Sequence, residues 1–315
     1  MDTHSFHPLP FFPVPYPGES LYSILCRYHV RSGNISPHRT IHQLFGDYPS
    51  LISTLLLPSM LDRFDFWTES QDFTAEYLLR HHTAFSLCKL RDFNSYQEIF
   101  ADASHSSIFS RRMMRGWFPQ SMIQHPSHEL RYCPQCATEQ RIIYGESYWQ
   151  ILPQLDGVEY CPIHRIRIAS SGIRTTRIQH AFFPADAMLD LSKPGQLSSK
   201  GMWYSQEHMV EYPELFIAMA LTVSCLWEKL PYVSGIWFLL SKYRSRLSLT
   251  NGFWQRTDCV RAQLLERNPL PMTNILLNAC SSFYDQRLIK FLSLSLSQHA
   301  MLLSMLFESP CSFFT

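Results

Sequence analysis

"VEYCPIH", Val158–His164, places a cysteine, a proline and a histidine within one short turn. A second stretch, "RYCPQC" at Arg131–Cys136, opens the same way, with Cys-Pro followed by another soft donor. Together they read C-x2-C-x24-C-x2-H through Cys133, Cys136, Cys161 and His164. Two-residue gaps put both donors of a pair inside one turn, and zinc takes four such donors on a tetrahedron at roughly 2.0–2.3 Å. Pro134 and Pro162 fix φ after each leading cysteine and stiffen the turns. Gly145 and Asp156-Gly157 offer turns by which the intervening chain can fold back. The pattern predicts one structural zinc ion, because four protein ligands leave no open position for a catalytic water. Two other readings stand beside it. The four residues could be unrelated core side chains, or "CPQC" could be a thioredoxin-type redox motif. The redox reading needs a strand-to-helix context and leaves the second pair unexplained.

Outward from this region the hydrophobic period is helical, and the fold class expected is mainly α. Leu21, Ile24, Leu25 and Tyr28 follow i, i+3, i+4, i+7, with Ser20 as cap and Gly33 as stop. A second helix fits Pro37–Phe45, and "YPSLISTLLLPSMLDRF" suggests a third, broken at Pro58. These short helices are expected to form a helix-turn-helix-like N-terminal domain or a plain helical bundle. "SQDFTAEYLLRHHTAFSLCKL" reads as a further helix with a stripe of Phe73, Tyr77, Leu78, His81 and Phe85, and with His81 and His82 as cap or core residues. "ELFIAMALTVSCLWEKL" is apolar nearly all round and should lie centrally in a C-terminal helical bundle. The division expected is a helical domain at 1–103, a zinc-binding domain at 104–180, a linker at 181–200 and a helical domain at 201–315. The last stretch, "SQHAMLLSMLFESPCSFFT", stays apolar to its end, so either it docks on the core or the chain is a piece of a longer one.

Composition narrows the function classes. The 315 residues are 46% hydrophobic and 17% charged, ordinary for a folded protein. No apolar run is long enough to span a bilayer and no signal peptide opens the chain, so a cytoplasmic protein without a membrane partner is expected. Nine cysteines without a framework pattern favour reduced thiols and metal ligands. Cys26, Cys88, Cys225, Cys259, Cys280 and Cys311 read as core. There is no H-x-E, Walker A, G-x-G-x-x-G or G-x-S-x-G motif, and the chain is not expected to be an enzyme.

Net charge is only +1, yet its distribution is uneven. Asp62–Asp102 holds eight acids against four bases, whereas Arg111–Arg177 holds nine Arg against five acids. Arg111, Arg112, Arg115, Arg165, Arg167, Arg174, Arg177, Lys242, Arg244 and Arg246 are the candidate nucleic-acid contacts.

"FPVPYPGESLYSILCRYHVRSG", "RHHTAFSL" and "RYCPQC…YGESYWQ…LDGVEYCPIH" resemble the TniQ/TnsD family of transposon target-selection proteins. The resemblance covers roughly residues 12–170 and implies that Cys133, Cys136, Cys161 and His164 are zinc ligands. It further implies a role in a heteromeric cut-and-paste transposon, linking target DNA to an AAA+ transposition regulator. In one branch the protein reads an attachment site directly; in another it joins an RNA-guided CRISPR effector complex. A second Cys-rich zinc site found in many relatives is missing, since residues 165–224 contain no Cys. The alternative is a truncated TnsD-type attachment-site binder. Self-association as a homodimer is left open.

Overall fold

The computed structural model describes residues 9, 11–45, 74–90, 125, 127–179, 181–192, 195–197, 204–230, 235–247, 254–266, 268, 270–281, 288–290, 294–309 and 311–314. Helices dominate the described residues. α1 (Leu21–Arg31) starts and stops where its local signals place it, and α2 occupies Pro37–Phe45. Ser20 Oγ accepts from Ser23 N, and Gly33 leaves the helix at φ +68°, a left-handed value that glycine takes without cost. The predicted third helix, with Pro58, lies outside the described residues.

The helix expected through "AEYLLRHHTAFSL" is shorter than its apolar stripe implies. α3 (Ala75–His81) ends at His81, and a 3-10 turn follows at Phe85–Leu90. Long-range bonds stop it: Leu21 N donates to His82 O (2.7 Å), and His82 Nδ1 lies 2.7 Å from Glu19 O. His82 is therefore a buried cap, as expected, but Tyr77 and His81 face solvent and the stripe is not continuous.

β1 (Glu129–Tyr132) leads into α4 (Pro134–Tyr144), and β1, β2 (Ala169–Arg174) and β3 (Gln196–Leu197) form an antiparallel sheet in that order. The residues after α4 are fastened to α1. Ser20 N donates to Trp149 O (2.8 Å), Trp149 N to Ser23 Oγ (3.1 Å) and Ile151 N to Gly18 O (2.9 Å). Trp149, fully buried, also donates from Nε1 to Phe183 O (2.7 Å), which docks the segment 181–192 against the same body. Buried Glu19 and half-buried Glu146 both bind Arg27, at 2.8 Å each, and Glu146 reaches Arg31 as well. "PGES" and "YGESYW" are thus two halves of one ion-paired joint.

Beyond α5 (Ala185–Met188) and α6 (Gln206–Glu211) come α7 (Pro213–Lys229), α8 (Gly235–Arg246), β4 (Trp254–Arg256), α9 (Thr257–Leu265), α10 (Leu270–Ser281), β5 (Leu288–Lys290) and α11 (Leu296–Leu306). α7 is central, as its all-round apolar sequence predicts, and packs on α11. The apolar C-terminal stretch docks: nearly every residue of α11 is buried, and Phe313 packs on Phe307.

Gly157 ties this bundle to the cysteine-bearing region. Its φ is +85°, and a Cβ there would meet Ser297 Cα at 3.0 Å. Beside it Asp156 Oδ2 accepts from Ser297 N (3.1 Å) and Ser297 Oγ (2.5 Å) at the start of α11. Gly157→Ala is expected to cost about 2–3 kcal/mol, from backbone strain plus overpacking, read as a lowered denaturation midpoint. Midpoints equal to wild type would show that the contact relaxes freely.

Cys225 lies in the core as expected, with Cys311 packed against it; two other expectations, that Cys259 is core and that the thiols are reduced, fail. Cys259 is exposed on α9, because that face of the helix has no cover among the described residues. Cys225 and Cys311 are joined as a disulfide between α7 and the C-terminal turn, a pairing that only tertiary packing creates across 86 residues. Cys26 is buried as expected; the side chains of Cys88 and Cys280 lie outside the described residues.

No described helix is long and apolar enough to cross a membrane.

Candidate metal centre

Cys133 is the N-cap of α4, with Pro134 at its first position, and Cys133 Sγ accepts from Cys136 N at 3.5 Å. The first pair therefore sits on a helix start, where the macrodipole favours thiolate. The second pair sits on a tight hairpin. Cys161 N donates to Ile166 O (2.8 Å), Arg165 N to Cys161 O (2.8 Å), and His164 N to Cys161 Sγ (3.4 Å). Arg165 takes φ +56° to close that turn.

The two supports bring all four donors together. The three sulfurs and one imidazole nitrogen lie within 4.8 Å of one another. Cys136 Sγ is 3.6 Å from Cys161 Sγ, and His164 Nδ1 is 3.5, 3.3 and 3.6 Å from the sulfurs of Cys133, Cys136 and Cys161. A tetrahedral ion with metal–sulfur bonds of about 2.3 Å has sulfur–sulfur edges of about 3.8 Å and, with its shorter bond to nitrogen, slightly shorter nitrogen–sulfur edges, close to these separations. The donor set could hold one metal ion.

"CPQC" does stand in the strand-to-helix context that a redox motif requires. What separates the readings is the second pair: a dithiol motif has no use for a third sulfur and an imidazole at van der Waals range. Hydrogen bonds from Cys133 and Cys136 hold the Cys161 thiol well below the ordinary thiol range, while bonds to Cys133 and Cys161 push Cys136 up.

Glu139, one turn into α4, accepts a hydrogen bond from the other imidazole nitrogen, with His164 Nε2 2.9 Å from Glu139 Oε1. That contact leaves Nδ1 facing the sulfurs and raises the basicity of the donor. Glu139→Ala is expected to weaken metal binding ~10–100-fold, measured by chelator competition on the folded chain, with Glu139→Gln recovering part of the loss. Equal chelator resistance in all three would remove Glu139 from the site.

Behind the donors lies a buried ionic cluster that sequence reasoning missed. Arg131, wholly buried, donates from Nη2 to Glu159 Oε2 (2.8 Å) and from Nη1 to Pro153 O (3.0 Å). Glu159 Oε1 also meets His125 Nε2 (2.7 Å) and accepts from the Tyr204 hydroxyl (2.9 Å). The Gln154 amide clasps the Arg131 backbone at both N and O. The signal was present: "RYCP" and "EYCP" carry opposite charges two places before each leading cysteine. Arg131 and Glu159, each two residues before a leading cysteine, thus meet as a buried ion pair.

The candidate nucleic-acid contacts are scattered by comparison. Arg111, Arg112 and Arg115 lie outside the described residues. Arg165 is exposed but ion-paired with Glu214, and Arg167 Nη2 lies 3.5 Å from Met209 Sδ. Arg174 is exposed at the end of β2, and Arg177 is exposed with its guanidinium 5.4 Å over the Phe183 ring. On α8, Lys242 lies over Phe238 and Arg246 over Phe307, while Arg244 points outward.

A family model described as TniQ matches residues 10–168, about half of the 315. The match takes in the α1 motif and all four donors. "Transposon Tn7 transposition protein TnsD" of Escherichia coli is 29% identical over 155 residues, which are 49% of this chain and 30% of that protein.

Proposed function

The chain belongs to the TniQ family, and from that premise we propose that it selects target DNA for a heteromeric cut-and-paste transposon. In this reading it is a recognition scaffold that links a DNA target to an AAA+ transposition regulator. The target arrives either as DNA bound by the chain itself or through an RNA-guided CRISPR effector complex. The observation that carries the proposal is the extent of the family match: it covers two separate motifs, "PGES" and the Cys3His pattern, whose backbones bond to one body. We assign one zinc ion to Cys133, Cys136, Cys161 and His164, since three thiolates and an imidazole suit that metal. The ion would supply folding energy and no chemistry on a substrate. Arg131 and Glu159 set the separation of the pairs, Glu139 orients His164, and Trp149 with Glu146 passes the site's rigidity to α1.

A second reading, direct recognition of a DNA site, is favoured by the identity to TnsD. Arg174, Arg177 and Arg244, exposed in the fold, are then the first contacts to test. Purifying the tagged chain from its host and identifying what accompanies it separates the two. An RNA-guided effector is expected for the adaptor; a regulator ATPase with a discrete DNA fragment is expected for the site reader. Absence of transposition proteins and DNA alike would overturn both. Direct binding further predicts duplex affinity falling steeply between about 50 and 200 mM salt.

A further inference from the structure

Cys225 and Cys311 stand apart from the metal donors in every respect. Cys225 sits one turn before the end of α7 and is 7% exposed, while Cys311 is partly exposed in the turn after α11. Their Cα atoms are 5.6 Å apart, inside the range a disulfide spans without backbone movement. The turn that carries Cys311 is fixed independently. Ser312 N donates to Ser309 O and Phe314 N to Cys311 O, Phe313 is buried, and Phe314 stacks on Phe238 of α8 at 5.2 Å. Cys311 thus needs no rearrangement to meet Cys225.

We propose that Cys225 and Cys311 form a reversible redox cross-link that clamps the C-terminal turn to the central helix. The co-reactant is a low-molecular-weight disulfide such as oxidised glutathione. The partly exposed Cys311 thiolate attacks one sulfur of that disulfide, forming a mixed disulfide and releasing one thiolate. Cys225, held beside it, then displaces the second thiolate. Two protein thiols lose two electrons and two protons, and one small disulfide becomes two thiols. Reduction runs back through Cys311, the sulfur a small thiol can reach. The metal donors would stay out of this chemistry while the ion shields them. Cys26 stays out too, since burial pushes its thiol up to about 12.

The test treats the metal-loaded full chain with oxidised glutathione and maps linked peptides by mass spectrometry. A Cys225–Cys311 peptide is expected, reversed by dithiothreitol without denaturant, with a rise in melting temperature on the order of 5 °C in the oxidised form. Cys225→Ser should accumulate glutathione on Cys311, whereas Cys311→Ser should leave Cys225 unmodified. Exposed Cys259 reports that the reagent is active. Modification of Cys259 with no Cys225–Cys311 peptide, a link between other cysteines, or a link reducible only after denaturation would each overturn the proposal.

Discussion

Cys161→Ser is expected to strip the metal from the chain and to melt the region from β1 to β2. The serine hydroxyl is a poor ligand, and the three remaining donors sit on two separate supports, a helix start and a hairpin. Structural zinc contributes about 10–16 kcal/mol of folding free energy in small domains, comparable to the whole stability of a typical protein at about 5–15 kcal/mol. The tip of the hairpin at Cys161 buries little apolar surface, because Ile163 and Arg165 face solvent, so its backbone bonds alone must hold the second pair once the metal is gone. Loss should spread to α1, whose first turn bonds to Trp149. Metal analysis and limited proteolysis read the outcome: no bound zinc, and rapid cleavage between residues 133 and 168. Cys259→Ser, an exposed site, should stay within about 0.5 kcal/mol of wild type.

The second large effect is expected at the ionic cluster. Glu159→Gln leaves the Arg131 guanidinium wholly buried without a counter-charge, a loss of about 3–5 kcal/mol. A double change, Arg131→Met with Glu159→Leu, should fall well short of twice that loss, since it removes both charges together.

The same cluster sets an acid limit. Burial alone would raise the Glu159 carboxyl, but Arg131 and then His125 outweigh it and hold it down to about 2. Burial, helped by Arg131, lowers His125 to about 4 against the pull of Glu159. In both cases the unfolded chain binds protons more readily than the folded one, so stability rises with pH. The His125 contribution is complete above its ordinary 6.5 and is lost as pH falls toward 4; that of Glu159 is complete above 4.5 and is lost toward 2. Asp156, pushed up to about 6 by burial against its Ser297 bonds, works in the opposite direction as pH rises. The His125 share is therefore read as the difference between wild type and His125→Asn across pH 4–6.5. A difference that stays constant over that range would contradict a buried neutral His125.

Much of the metal centre was legible because its signals are local. A two-residue gap closes a turn whatever surrounds it, and all four donors converge as their spacing implies. The N-cap of α1 at Ser20 was legible for the same reason. α4 was not, because it buries little beyond Cys136, Ala137 and Gln140 and leaves Ile142 and Ile143 in solvent, so its hydrophobic period is weak. The early end of α3 follows from Glu19 and Leu21, more than 60 residues away in sequence, binding His82. No local pattern encodes that contact, nor the meeting of Cys225 with Cys311. Arg131 and Glu159 lie between these cases: their matching offsets are visible in sequence, and only the fold shows that they meet.

The zinc ion proposed on Cys133, Cys136, Cys161 and His164 is what joins the helix start to the hairpin. Its most direct test is the metal content of the purified full chain, by elemental analysis, with cobalt substitution to report the ligands. One zinc per folded chain and a cobalt spectrum of tetrahedral thiolate–imidazole type are expected, both lost in Cys161→Ser. A folded, metal-free wild-type chain, or unchanged zinc content in that variant, would contradict it.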